Sequence, residues 1–161
     1  MRLRGFEAPD FERHFEIKND PRVQVHLPAT DREELWRRTV SGVGNWQVCG
    51  FGMWMVERRD DRRLLGSVGF FVAPRSLEPS FEGQPEMGYM MAPEVHGQGM
   101  AREACEAALA WLDENVALPC WAIIDPDNGP SHRLAERLGF IKLTTSLYHD
   151  EPIDVLRRPA P

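Results

Sequence analysis

At 161 residues the chain is about the size of one domain, long enough to bury a core without disulfides or a structural metal. Hydrophobic residues at 42% and charged residues at 27% exclude global disorder, and a net charge of −6 argues against a general nucleic-acid binder, which needs a basic face. No apolar run can span a bilayer, and Met1-Arg2-Leu3-Arg4-Gly5 leads into charge rather than a signal-peptide segment. Cys49, Cys105 and Cys120 lie far apart, with no CxxC spacing and no histidine at metal-ligand distance. The expectation is one domain over residues 1–161, cytoplasmic, with reduced thiols, no metal, no membrane association and no nucleic-acid partner.

Leu3 to Phe6 reads as a short first strand. Pro9-Asp10 opens an amphipathic helix over Phe11 to Ile17, closed by Asn19-Asp20-Pro21. A second helix is predicted from Asp31 to Val40, with Glu33 and Glu34 in its first turn, ended by Gly42, Gly44 and Asn45. Phe51 to Glu57 and Leu64 to Val72 read as strands joined by the charged turn 58–63, a solvated hairpin tip. Residues 73–85, rich in Pro, Ser and Glu, form a loop, and Glu86 to Ala92 is a further strand.

From Gly99 to Glu114, Ala101, Ala104, Cys105, Ala108, Trp111 and Leu112 recur at spacings of three and four, the mark of a helix with one buried face. Cys120 to Ile124 is a short apolar strand, Ser131 to Leu138 a helix stopped by Gly139, and Phe140 to Tyr148 with Ile153 to Leu156 an antiparallel pair. This order predicts an α/β protein of the α+β kind. Its sheet is mixed, mostly antiparallel and twisted, flanked by helices, and parallel only where a helix crosses over.

The chemistry-bearing stretch is Glu86-Met87-Gly88-Tyr89-Met90-Met91-Ala92-Pro93-Glu94-Val95-His96-Gly97-Gln98-Gly99-Met100-Ala101. A strand ends at Pro93, and Gly97 and Gly99 lead into the Ala-rich helix. Glycines let backbone approach a ligand closely, and a helix start offers unpaired amides and a positive dipole end. A phosphate or pyrophosphate suits such a place, although the same glycines can serve a tight turn alone. There is no Gly-Lys-Ser/Thr ending for a P-loop and no GxGxxG for a dinucleotide fold.

Glu-x-Gly-Tyr, then Pro, then His-Gly-Gln-Gly-x-Ala-x-Glu-Ala resembles the acetyl-CoA motif of the GNAT superfamily of N-acetyltransferases, closest to its RimJ/RimL, ribosomal-protein-alanine acetyltransferase, branch. The family signature Arg/Gln-x-x-Gly-x-Gly/Ala falls on His96, Gly97, Gln98, Gly99, Met100 and Ala101. Asn128-Gly129-Pro130-Ser131, Leu138-Gly139-Phe140, Asn19-Asp20-Pro21 and Leu65-Gly66-Ser67-Val68-Gly69 are further typical segments, so the likeness covers nearly the whole chain. One departure is His96, where the family carries Arg or Gln; a histidine has shorter reach and a pH-dependent charge.

The resemblance implies a GNAT-like acyl-CoA N-acyltransferase fold with acetyl-CoA as co-substrate. Its pantetheine would be held near Met91 and its pyrophosphate by His96, Gly97, Gln98, Gly99, Met100 and Ala101, with Asn128 and Ser131 also on the cofactor. The acceptor would be a small-molecule amine or a protein N-terminus, and a homodimer is compatible. Amide formation needs a base for the amine and an acid for the leaving thiolate. Glu86 is the candidate base and Ser131 the candidate partner of the sulfur, because the tyrosine many relatives place five residues before Phe140 is here Ala135. Both have plain alternatives, a strand-end carboxylate and a helix-start serine. Trp36, Trp46, Phe51, Trp54 and Tyr89 are candidates for acceptor-pocket walls or for core, and Glu82, Glu86 and Glu94 could attract a cationic acceptor. A non-catalytic acyl-CoA-binding module on the same scaffold is the alternative function.

Overall fold

A computed structural model describes the chain from Met1 to Pro161. Its elements are β1 (Arg2–Arg4), α1 (Asp10–Lys18), α2 (Pro21–Gln24), α3 (Arg32–Cys49), β2 (Met53–Glu57), β3 (Leu64–Phe71) and β4 (Glu86–Met91). Then come α4 (Met100–Asn115), β5 (Cys120–Ile124), α5 (Gly129–Arg137), β6 (Ile141–Tyr148) and β7 (Glu151–Arg158). The strands form one seven-stranded sheet in the order β1-β2-β3-β4-β5-β7-β6. Every neighbouring pair is antiparallel except β4 and β5, which α4 connects as a parallel crossover. The mixed, mostly antiparallel sheet flanked by helices is the one the element order predicts. No helix is long and apolar enough to cross a membrane.

Side chains alternate across a strand, so the register assigns the faces. Trp54, Val68 and Tyr89 are cross-strand neighbours and share one face. Trp54 meets Trp111 of α4 with ring centroids 5.2 Å apart, so α4 lies on that face. Its buried stripe of Ala104, Cys105, Ala108, Leu109 and Leu112 packs there, the small residues letting helix and sheet close up. Glu86, Gly88 and Met90 point the other way. On that side the 72–85 segment folds over the sheet, Phe81 stacking on Trp121 (5.0 Å, 13°) and Gln84 accepting from its indole N–H at 2.7 Å.

Several boundaries differ from the sequence reading, β1 ending at Arg4 rather than Phe6 and β7 running from Glu151 to Arg158 rather than from Ile153 to Leu156, and two changes concern the first helices. The helix expected to stop at Gly42, Gly44 and Asn45 runs on to Cys49. Gly42 is buried against Met53, and the αL stop is Gly50 at φ 77°. Asn19-Asp20-Pro21 both closes α1 and opens α2: Asp20 accepts from the Arg22 amide at 2.9 Å, and Pro21 sits in the first turn. At the start of α3, Asp31 is the cap, accepting from the Glu34 amide at 2.8 Å. A buried ion cluster pins α1 to the first two strands, Arg4 donating to Glu57 at 2.7 Å and to both oxygens of Asp10 at 2.7 Å.

The glycines of β3 set the strand spacing. A Cβ on Gly66 would stand 2.0 Å from the Met90 carbonyl oxygen, and one on Gly69 2.3 Å from that of Gly52. Gly66→Ala is therefore expected to push β3 from β4 and to lower stability by about 2 kcal/mol. Urea unfolding measures it; an unchanged midpoint would mean that the strands separate at no cost.

Candidate active site

The site begins where β4 and β5 part. Their only register pair is Glu86 with Trp121, reinforced by the Trp121 amide donating to the Pro85 carbonyl at 2.9 Å. Beyond it the parallel strands diverge toward Met91 and Ile124. The Ala92 amide donates to the Leu65 carbonyl at 2.7 Å, so Ala92 is a hydrogen-bonded position against β3. By alternation the amide and carbonyl of Met91, and those of Tyr89, face the gap instead. These backbone groups have no ladder partner there.

At the wide end of the gap stands the start of α4. Pro93–Val95 make one 3-10 turn, and Gly97 and Gly99 take φ of 73° and 79°, values glycine adopts at no steric cost. Nothing lies within 4 Å of a Cβ built on either, so the space above the turn is open. The amides of Gly97, Gly99, Met100, Ala101 and Arg102 have no acceptor in the protein, and no side chain caps the helix. Unpaired amides at a helix N-terminus are suited to an anion.

The expected polar side chains are otherwise engaged. His96 turns its Nε2 to the Met91 carbonyl at 2.9 Å, donating across the mouth of the gap. Gln98 folds back, its Nε2 donating to the Glu94 carbonyl at 2.7 Å. Asn128 is the N-cap of α5, its Oδ1 accepting from the Ser131 amide at 3.1 Å, so Asn128 rather than Ser131 opens that helix. Glu94 pairs with Arg13 and, at 3.0 Å, with Arg63.

Glu86 sits at the closed end of the gap, 2% exposed. Arg75 grips it with Nε to Oε2 at 2.6 Å and Nη2 to Oε1 at 2.9 Å, and the guanidinium lies over the Tyr148 ring at 4.8 Å. Burial pushes the Glu86 carboxyl above the usual carboxylate range, and the Arg75 charge opposes that rise. Arg75 escaped the sequence reading because nothing in the Pro- and Ser-rich segment 73–85 distinguishes it there from a loop arginine.

The aromatic candidates pack mainly on one another. Trp46 and Trp54 form a three-way cluster with Trp111, Phe51 is buried against Phe70, and Trp36 meets Phe6 and Phe11. Tyr89 differs. Its hydroxyl is buried without a hydrogen-bond partner, and burial pushes its pKa up to about 12. Ala135, in place of the family's tyrosine, is buried in the core. No group of three or more His, Cys, Asp or Glu side chains is placed to hold a metal ion.

The Acetyltransferase (GNAT) domain model matches residues 1–141. The uncharacterized protein YkkB of Bacillus subtilis is 30% identical over 161 residues, which are 98% of this chain and 91% of that protein. Among solved structures, a Bordetella pertussis protein assigned to the GnaT acetyltransferase family superposes with a TM-score of 0.86 at 28% identity, over 97% of this chain and 93% of that one. The phosphinothricin acetyltransferase of Sinorhizobium meliloti, solved in complex with AcCoA, shares the fold at a TM-score of 0.73 and 16% identity, over 99% of this chain and 88% of that one.

The Arg75–Glu86 pair gives the site a pH signature that needs no ligand. Arg75→Met would leave a buried carboxylate unpaired, lowering stability by about 3 kcal/mol at neutral pH. Without Arg75 the folded-state pKa of Glu86 rises further above its unfolded value. The folded state then takes up a proton as pH falls through that value, and the lost stability returns. Urea midpoints at about pH 7 and about pH 5 are expected to show the deficit shrinking at the lower pH. An equal deficit at both would mean that Arg75 does not control the Glu86 charge.

Proposed function

The chain belongs to the GNAT family of acetyltransferases, and we propose that, as one domain over residues 1–161 in the cytoplasm, it moves the acetyl group of acetyl-CoA to a primary amine. Direct attack in a ternary complex is the route, and the amine is that of a small molecule or a protein N-terminus, in keeping with the RimJ/RimL-like sequence block. The observation that carries this reading is the gap between β4 and β5, which opens from Glu86 and Trp121 toward the unpaired amides at the start of α4.

Tyr89, with its amide and carbonyl, and Met91, with its amide, offer backbone groups to the pantetheine, in the way a strand accepts a neighbour. Gly97, Gly99, Met100 and Ala101 direct amides at the pyrophosphate, with His96 and Gln98 bounding the same turn. Held by backbone, the cofactor needs small residues more than charged ones. Asn128, as cap, fixes the first turn of α5 and so the position of Ser131 beside the sulfur.

Glu86 is the base of the reaction, acting through water. Burial raises its basicity while Arg75 keeps it ionised, a balance suited to taking a proton from an ammonium near neutral pH. Acetyl-CoA supplies the electrophile and a thiolate leaving group, and Ser131 donates a hydrogen bond to the sulfur. A non-catalytic acyl-CoA-binding module is the second reading. It draws support from Ala135 and from the ion pair that already occupies Glu86.

Isothermal titration with acetyl-CoA tests the cofactor assignment, with dephospho-CoA and ATP for comparison. Gly99 in its left-handed conformation can be replaced by Asn or Asp, which tolerate that region about equally and differ in charge. Gly99→Asp is expected to bind acetyl-CoA about tenfold more weakly than Gly99→Asn, the scale of one like-charge contact near solvent. Equal affinities would move the pyrophosphate elsewhere, and no binding by the unaltered protein would sink the reading. Thiol release with an alanine-initiated peptide, spermidine, an amino acid and kanamycin then separates an enzyme from a binding module.

A further inference from the structure

Glu86 and Glu94, which could draw a cationic acceptor, are already neutralised. Arg75 holds Glu86, and Arg13 and Arg63 hold Glu94. Arg75 itself is only half used. Its Nε and Nη2 grip the Glu86 carboxylate side-on, whereas Nη1 has no hydrogen-bond partner in the protein and is not sealed from solvent. Arg75 keeps 17% of its side chain exposed against 3% for Glu86, so the open part of the pair is the arginine. A guanidinium carries five N–H donors in a rigid fork. One carboxylate on its Nε–Nη2 edge leaves the Nη1–Nη2 end for a second.

Arg75 borders a groove of about 620 Å³ between the 72–85 segment and β6, lined by Ser76, Glu78 and Ser80 on one wall and by Ser146 and Leu147 on the other. The Tyr148 ring, 4.8 Å from the guanidinium, ties Arg75 to the same strand. Glu78 is the only other charged lining residue, and it is exposed, where salt and water screen it. Charge balance then selects the ligand. Arg75 and Glu86 sum to zero, so a polyamine or a peptide N-terminus would bring an excess positive charge into a half-buried place. A zwitterion keeps the sum at zero and pairs every charge, its carboxylate on the free end of Arg75 and its ammonium beside Glu86. An α-amino acid carries those two groups on one carbon, matching two partners that themselves touch.

Resting on the acetyl-CoA reading above, we propose that this groove seats the acceptor and that the acceptor is a free α-amino acid, its carboxylate bound by Arg75 and its nitrogen delivered to Glu86 at the closed end of the gap. The serine hydroxyls and Leu147 border the space left for its side chain. A carboxylate on Arg75 also shares the charge that holds Glu86, which strengthens Glu86 as a base once the acceptor is in place. Glu86 takes one ammonium proton and passes it to solvent. The nitrogen lone pair then bonds to the acetyl carbon, the C–S bond breaks with its electrons on sulfur, and a second nitrogen proton goes to the thiolate. The products are an N-acetyl amino acid, CoA thiol and one released proton.

Thiol release from acetyl-CoA tests this with the standard α-amino acids, each beside its own α-carboxamide, which keeps the amine and removes the carboxylate charge. At least one acid is expected to exceed its amide by about tenfold in kcat/KM, the worth of one charge-assisted hydrogen bond, with the difference mainly in KM. Arg75→Lys keeps the charge, loses the fork and should shrink that preference by about threefold. Ser76→Asp, on the exposed loop, places a like charge beside the free end of Arg75 and should erase the preference while acetyl-CoA affinity stays unchanged. Amides used as well as their acids overturn the proposal, as does a preference that Ser76→Asp leaves intact. Acetyl-CoA binding without thiol release on any acid also overturns it and leaves the cofactor site standing. If acetyl-CoA does not bind, the reading beneath the proposal fails with it.

Discussion

Everything about this site depends on one short stretch of parallel pairing. β4 and β5 touch through Glu86 and Trp121 and then part. Parallel strands run side by side only as long as both follow one twist, and here β4 is held by β3 over its full length while β5 is held by β7. Each strand therefore has a strong antiparallel neighbour on its outer side and little reason to follow the other. The cost is a set of strand amides and carbonyls without partners, which a continuous sheet would have paired. The 72–85 segment closes the narrow end by stacking Phe81 on Trp121 and delivering Arg75 to Glu86. The break in the sheet and the chemistry candidates thus share one origin.

Around that gap, the side chains that look like ligand holders are already occupied by the protein. His96 sits on the Met91 carbonyl, Gln98 on that of Glu94, and Asn128 on the Ser131 amide. What stays free is backbone, at Gly97, Gly99 and the first turn of α4. This division shows how an acidic chain can present a helix end suited to an anion. The positive potential comes from aligned peptide dipoles and unpaired N–H groups at one helix end, and it does not require the surface to be basic. It also explains how histidine can stand where the family carries Arg or Gln, since its work in the free protein is to orient a turn.

Much of this was legible in the sequence, and for identifiable reasons. The helical period from Ala101 to Leu112 and the apolar run Cys120 to Ile124 gave their elements within a residue or so. The Gly97-x-Gly99 turn announced both its geometry and its open space. Errors arose where one residue type serves two ends. Gly42 looks like a helix stop and is a close-packing site, because only the tertiary neighbour Met53 distinguishes the two. The Arg75–Glu86 pair was invisible, since the two residues meet through a segment whose composition says only loop. The isolation of the Tyr89 hydroxyl could not be read either: an unsatisfied group is defined by everything that fails to reach it, and no local pattern records that.

The tryptophan cluster has a consequence of an optical kind. Trp46 comes from α3, Trp54 from β2 and Trp111 from α4, and their rings lie 4.7 to 5.2 Å apart at steep angles. Indole transitions this close couple electronically, so the trio is expected to give a near-ultraviolet circular dichroism signal whose sign is set by the three elements together. Lifting α3 from the sheet would remove both couplings of Trp46 and leave only the Trp54–Trp111 pair. The chain therefore carries a built-in gauge of the docking of α3, readable in the near-ultraviolet without any label.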